Sequence, residues 1–112
     1  MTVQTAYKIL TQAQFQALQA GSFEGAAVDI ADGYIHLSTA EQLDETLARH
    51  FAGQQGLVIA AVALAPLGEA LRWEVSRNGQ LFPHFYGRLT MRHISAHTPL
   101  RHGADGRATL PA

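Results

Sequence analysis

A chain of 112 residues, with 47% apolar and 15% charged residues, has the size and composition of one compact domain with one core. A net charge of −1 and a lone lysine, Lys8, exclude a surface built to neutralise phosphate backbones, so nucleic acid is not an expected partner. With no cysteine, disulfides, thiolate zinc sites and a cysteine nucleophile are excluded as well.

Residues Met1 to Thr5 lack the basic and apolar regions of a secretory signal. The longest apolar run, Leu57 to Leu67, has 11 residues, where a membrane span needs about 20. The expectation is a cytoplasmic protein without a membrane partner, a monomer or weak homodimer, forming a single domain over residues 1–112.

Ala6 to Leu10 reads as a short strand. Thr11 can cap a helix over Gln12 to Ala20, with Phe15 and Leu18 on one face and Gly21 as its stop. The stretch from Gly21 to Gly33 lacks periodicity. It carries Glu24, Asp29 and Asp32 and reads as an ordered loop with room to line a site.

Tyr34 to Ser38 reads as a strand. Alternation puts Tyr34, His36 and Ser38 on one face and Ile35 and Leu37 on the other. Thr39 and Gln42 then form a capping-box pattern for a helix to about Phe51, with Leu43, Leu47 and Phe51 as its buried stripe and Gly53 at its expected end. Leu57 to Leu64 is apolar on both faces and suits a central strand. Leu71 to Arg77 and Gln80 to Leu89 flank Asn78-Gly79, a hairpin signal. Met91 to His97 reads as a last strand, and about residues 99–112 as a loosely ordered tail. Strands and helices in this order suggest α+β with a mostly antiparallel sheet and two main helices.

A histidine in an apolar strand is costly to bury unless its ring nitrogens find partners. His36 is either a core histidine satisfied by the backbone or a ligand-binding imidazole beside a helix start, where Ser38 and Thr39 could meet an anion. Glu74 is either an exposed carboxylate paired with Arg72 or Arg77, or a buried partner for an imidazole. Hairpin register decides. A two-residue loop at Asn78-Gly79 puts Glu74 opposite Pro83, with His84 on the other face; a three-residue loop puts Glu74 opposite His84. The second register is the favoured expectation. Phe82 to Gly87 packs aromatics around His84, as core or as a pocket for a flat ring. His93 and His97, four apart, would stand about 13 Å apart on a strand and cannot share a metal ion. There is no dinucleotide-binding glycine fingerprint, P-loop or nucleophile elbow.

The segments Tyr7-Lys8-Ile9, Gly33-Tyr34-Ile35-His36-Leu37-Ser38-Thr39, Gln42, Phe51, Arg72-Trp73-Glu74 and Phe82-Pro83-His84-Phe85-Tyr86-Gly87, in this order, resemble the bacterial and plant family called domain of unknown function 952. That family in turn resembles the ADP-ribosyltransferase-like fold, a split and mostly antiparallel sheet. The resemblance implies no bound cofactor, with NAD as a substrate whose nicotinamide–ribose bond is cleaved. It assigns His36 and Glu74 to catalysis. Tyr34, Ser38, Thr39, His84, Phe85 and Tyr86 become candidate contacts for a nucleotide ligand. A non-catalytic small-ligand module, or a structural protein whose histidines only satisfy core hydrogen bonds, remain the alternatives.

Overall fold

The structure, a computed structural model, describes residues 3–111, without the side chain of Arg77. Six strands form two antiparallel three-stranded sheets. One sheet holds β1 (Thr5–Leu10), β3 (Val58–Ala63) and β6 (Ile94–Pro99), with β3 in the middle. The other holds β2 (Ile35–His36), β4 (Leu71–Val75) and β5 (Leu81–Phe85), with β5 in the middle. The sheets are joined where Tyr7 N–H donates to Ser38 C=O at 2.7 Å and Ser38 N–H donates back at 3.0 Å. Among the described residues three α-helices complete the fold: α1 (Gln12–Ala20), α2 (Ala27–Asp32) and α3 (Ala40–His50).

The all-apolar sequence of β3 explains its place. A strand buried on both faces needs no polar alternation. Val58, Ala60 and Val62 enter one core with Ala6, Leu10, Leu18, Leu37 and Phe85. Ile59 and Ala61 enter a second core with Tyr7, Ile9, Leu43 and Leu47 of α3. The expected stripe of α3 is therefore its buried face, with Phe51 packed at the edge.

The capping signals act as written. Thr11 Oγ1 accepts from Gln14 N–H, and Gly21 ends α1 in the left-handed region. Thr39 Oγ1 accepts from Gln42 N–H at 3.3 Å while Gln42 Oε1 accepts from Thr39 N–H at 3.0 Å. Gln42 also donates to Leu81 C=O at 2.8 Å and so ties α3 to the hairpin. Thr39→Ala is expected to cost about 1 kcal/mol in urea unfolding with an unchanged slope.

Three expectations need correction. Gly21 to Gly33 is not all loop, because residues 27–32 form α2. This helix defeats a periodicity test: Val28 and Ile30 are exposed, while Asp29 is buried. Its Asp29 carboxylate accepts from Ala26 N–H at 2.8 Å and caps the helix from within. Next, the hairpin register matches neither alternative. The turn Arg77–Gly79 is three residues long, closed by Ser76 N–H donating to Gln80 C=O at 2.8 Å. Pairing slips the other way, with Glu74 opposite Phe82 and Arg72 opposite His84. Glu74 and His84 are thus diagonal neighbours on one face. Finally, Met91–His93 is a 3-10 turn and β6 starts at Ile94.

The segment after β6 makes specific bonds. Ala108 N–H donates to Asp44 on α3 at 2.8 Å, and Thr109 N–H donates to Arg101 C=O at 2.8 Å. No described helix is long and apolar enough to cross a membrane.

Candidate functional site

Strand pairing assembles the site on one face of the second sheet. His36 lies opposite His84, and His84 lies opposite Arg72, which makes one row across three strands. Side chains two residues along share that face, so Tyr34 and Tyr86 flank the row at one end and Glu74 and Phe82 at the other. The rings confirm the placement. Tyr34 stacks on His84 at 4.1 Å between centroids, with His36 at 4.6 Å and Tyr86 at 5.1 Å. His84 is buried beneath this aromatic layer.

Glu74 faces His84 and Tyr86. Its Oε1 lies 2.8 Å from His84 Nδ1 and accepts from the Tyr86 hydroxyl at 2.8 Å. The two hydrogen bonds hold the Glu74 carboxyl below the ordinary carboxylate range, so it is anionic at neutral pH. The same bond from the other side raises the Tyr86 phenol. For Arg72 the face offers a ring: its guanidinium lies 4.5 Å from the Tyr86 centroid.

His36 is held by two carboxylates. Nδ1 is 2.7 Å from Asp29 Oδ1 and Nε2 is 3.0 Å from Asp32 Oδ2. Both ring nitrogens thus lie against carboxylate oxygens. Asp29 also accepts from His36 N–H at 3.0 Å. Lys8 Nζ reaches the same carboxylate at 2.9 Å and donates to His36 C=O at 3.1 Å. Lys8 and Asp29 are 5% and 2% exposed, so this is a buried ion pair.

Burial alone would raise the Asp29 carboxyl. The His36 hydrogen bonds and the Lys8 charge outweigh it and bring the pKa down to about 2. Burial lowers the Lys8 ammonium against the pull of Asp29. A depressed carboxylate contributes stability above its unfolded pKa and loses it as pH falls through the folded value. From 3.8 to about 2, the Asp29 contribution of about 2 kcal/mol should disappear in that acid window. Urea midpoints measured across it should show the loss, and Asp29→Asn should flatten this leg.

Beside the imidazoles lies a cavity of about 380 Å³ between β1, the start of α2, α3 and β5. His36, Ser38, His84, Phe82, Thr46 and Lys8 line it. Ser38 Oγ lies 3.1 Å from Thr46 Oγ1 within it. Tyr34, Glu74 and Tyr86 stand on the open face beside this chamber, and the two imidazoles border both. The arrangement offers flat rings for stacking, carboxylates to stabilise a cation, and an imidazole to hold a hydroxyl.

Of the residues singled out from the sequence, Tyr34, His36, Glu74, His84 and Tyr86 converge, and Ser38 lines the cavity. Two do not join them. Thr39 is occupied as the α3 cap, and Phe85 points from the opposite face of β5 into the main core. The surface pairing of Glu74 with Arg72 is replaced by its bonds to His84 and Tyr86; the side chain of Arg77 lies outside the described residues. The Lys8–Asp29 pair joins the site without a local sequence pattern that marks the pairing. Its one signal is a lone lysine inside an apolar strand, which has to find a carboxylate to be buried. His93 Nδ1 accepts from Thr90 N–H at 3.0 Å, and His97 packs on Phe15 at 4.7 Å. Among the described residues no group of three or more His, Asp or Glu is placed to hold a metal ion.

Comparison with known proteins gives a consistent picture. The family model described as protein of unknown function (DUF952) matches residues 9–97. The crystal structure of protein CC0527 from Caulobacter crescentus is similar at 48% identity, covering 95% of this chain and 94% of that one, with a TM-score of 0.84. The solution NMR structure of CC0527 is similar at 48% identity, covering 95% and 92%, with a TM-score of 0.79. A search of curated proteins gives no match.

Proposed function

We propose, from the premise that this chain belongs to the DUF952 family, that it is an ADP-ribosyltransferase-like domain that binds NAD or a related nucleotide and transfers or hydrolyses ADP-ribose. The observation that carries the reading is the pairing of flat rings with a fixed negative charge. Tyr34 and Tyr86 stand 5.1 Å apart over His84, and Glu74 is locked beside them by two bonds of 2.8 Å. A planar cation such as the nicotinamide ring of NAD can stack on this aromatic layer from its solvent side, beside the carboxylate. The two three-stranded antiparallel sheets support the split-sheet comparison.

In the proposed reaction the bond between ribose C1′ and the nicotinamide nitrogen breaks. The electron pair leaves with nicotinamide, which becomes neutral, and C1′ becomes oxocarbenium-like. Glu74 stabilises that positive charge without reorganising, because His84 and Tyr86 already fix it. His36 holds the ribose through Nε2, where a ribose hydroxyl takes the place of the exposed Asp32 while Asp29 keeps the ring oriented through Nδ1. Water or an acceptor nucleophile adds to C1′ and releases its proton to solvent, which completes hydrolysis or transfer.

Chromatographic detection of nicotinamide from NAD tests this. Release that falls with His36→Ala and with Glu74→Gln supports the reading. Turnover that survives both substitutions overturns the assigned roles. Binding of NAD without turnover favours a non-catalytic module, and a thermal midpoint unmoved by NAD, ADP-ribose and nicotinamide favours a structural protein.

A further inference from the structure

The charges on the site face are almost all engaged. Lys8 is committed to Asp29 and to the His36 carbonyl, Asp29 and Asp32 to His36, and Glu74 to His84 and Tyr86. Arg72 is the exception in forming no such bond, and its charge acts on Glu74 and Tyr86 only through space. Its guanidinium makes no hydrogen bond or ion pair among the described residues, and its side chain is exposed. It is nevertheless not loose. It lies 4.5 Å from the Tyr86 ring centroid and projects from the ladder position opposite His84. A stacked guanidinium keeps its edge N–H donors free for a planar or tetrahedral oxyanion.

We infer that Arg72 is the specificity-determining residue that holds the phosphate groups of the ligand, so that the site selects phosphorylated nucleotides over nucleosides. This rests on the nucleotide reading above and extends it to a named contact. Phosphate would bridge to the guanidinium at the Tyr86 end of the row, while the ring of the ligand lies toward Tyr34. Position and planarity both matter, since Tyr86 fixes the fork and the fork fixes the phosphate. A lysine in its place would offer charge without the stack or the paired donors.

The experiment uses inorganic pyrophosphate as a probe that does not depend on NAD chemistry. Nuclear magnetic resonance titration of the full chain should shift the signals of Arg72, Tyr86 and His84. The shifts should vanish in Arg72→Gln, persist in weaker form in Arg72→Lys, and remain unchanged in Arg92→Gln, an exposed control. Calorimetry with ADP-ribose and with nicotinamide riboside completes the test. Arg72→Gln should weaken ADP-ribose by about 10- to 100-fold and leave nicotinamide riboside within about twofold. Pyrophosphate that does not bind the wild type, or that binds Arg72→Gln equally, overturns the inference even where NAD is turned over. Conversely, Arg72-dependent pyrophosphate binding without any NAD turnover upholds it while the catalytic reading fails.

Discussion

Asp29→Ala is expected to destabilise the protein by about 3–5 kcal/mol, the largest effect of any substitution near the site. The change strands Lys8, which lies 2.9 Å from the carboxylate and is buried with it. It also removes the acceptor for Ala26 N–H and His36 N–H. The penalty is therefore the desolvation of an unpaired ammonium together with the loss of two backbone bonds. In thermal melts it corresponds to a fall on the order of 15 °C for a domain of this size. The double variant Lys8→Met with Asp29→Leu should recover much of the loss, because exchanging a buried pair for apolar residues of similar volume is often neutral. Recovery stays incomplete, since His36 N–H and Ala26 N–H keep no acceptor there. A single-variant loss below about 1 kcal/mol would mean that water reaches Lys8.

The second large effect concerns Glu74. If its charge stabilises the oxocarbenium-like centre, Glu74→Gln should lower the rate of nicotinamide release by about 100- to 1000-fold. The KM for NAD should change little, since an interaction made mainly in the transition state affects kcat. Glutamine can still accept from Tyr86 at the Oε1 position, so the local geometry is expected to hold. A parallel rise in KM with unchanged kcat would make Glu74 a ground-state binding residue instead.

Much of the fold was readable because single residues set its punctuation. Thr11 and Gly21 bound α1, Thr39 and Gln42 start α3, and the unbroken apolar run of β3 marks a central strand. The face shared by Tyr34, His36 and Ser38 followed from alternation alone. What escaped depends on contacts between distant segments. The helix α2 is stabilised through Asp29, whose partners are Lys8 on β1 and His36 on β2. No local pattern encodes that pairing, and the outward Val28 and Ile30 point the wrong way for an amphipathic signal. The hairpin register was also beyond local reading. Asn78 takes the left-handed conformation that its type suggests, at φ 55°. Including Arg77 in the turn, however, slips the ladder by one relative to a two-residue loop. Glu74 still meets His84, as a diagonal neighbour rather than a direct partner. Phe85 was misjudged for a related reason: within a run of aromatics, one step along β5 exchanges the site face for the core.

Stacking of a flat cation on the aromatic layer of Tyr34 and Tyr86, beside the Glu74 charge, is the central claim, and one pair of titrations tests it. NAD and NADH differ at the nicotinamide ring, which is a planar cation in the first and uncharged in the second. Calorimetry of the wild-type chain with each should show tighter binding of NAD, with the preference reduced in Glu74→Gln. Equal affinity for the two, or no heat with either, would contradict it.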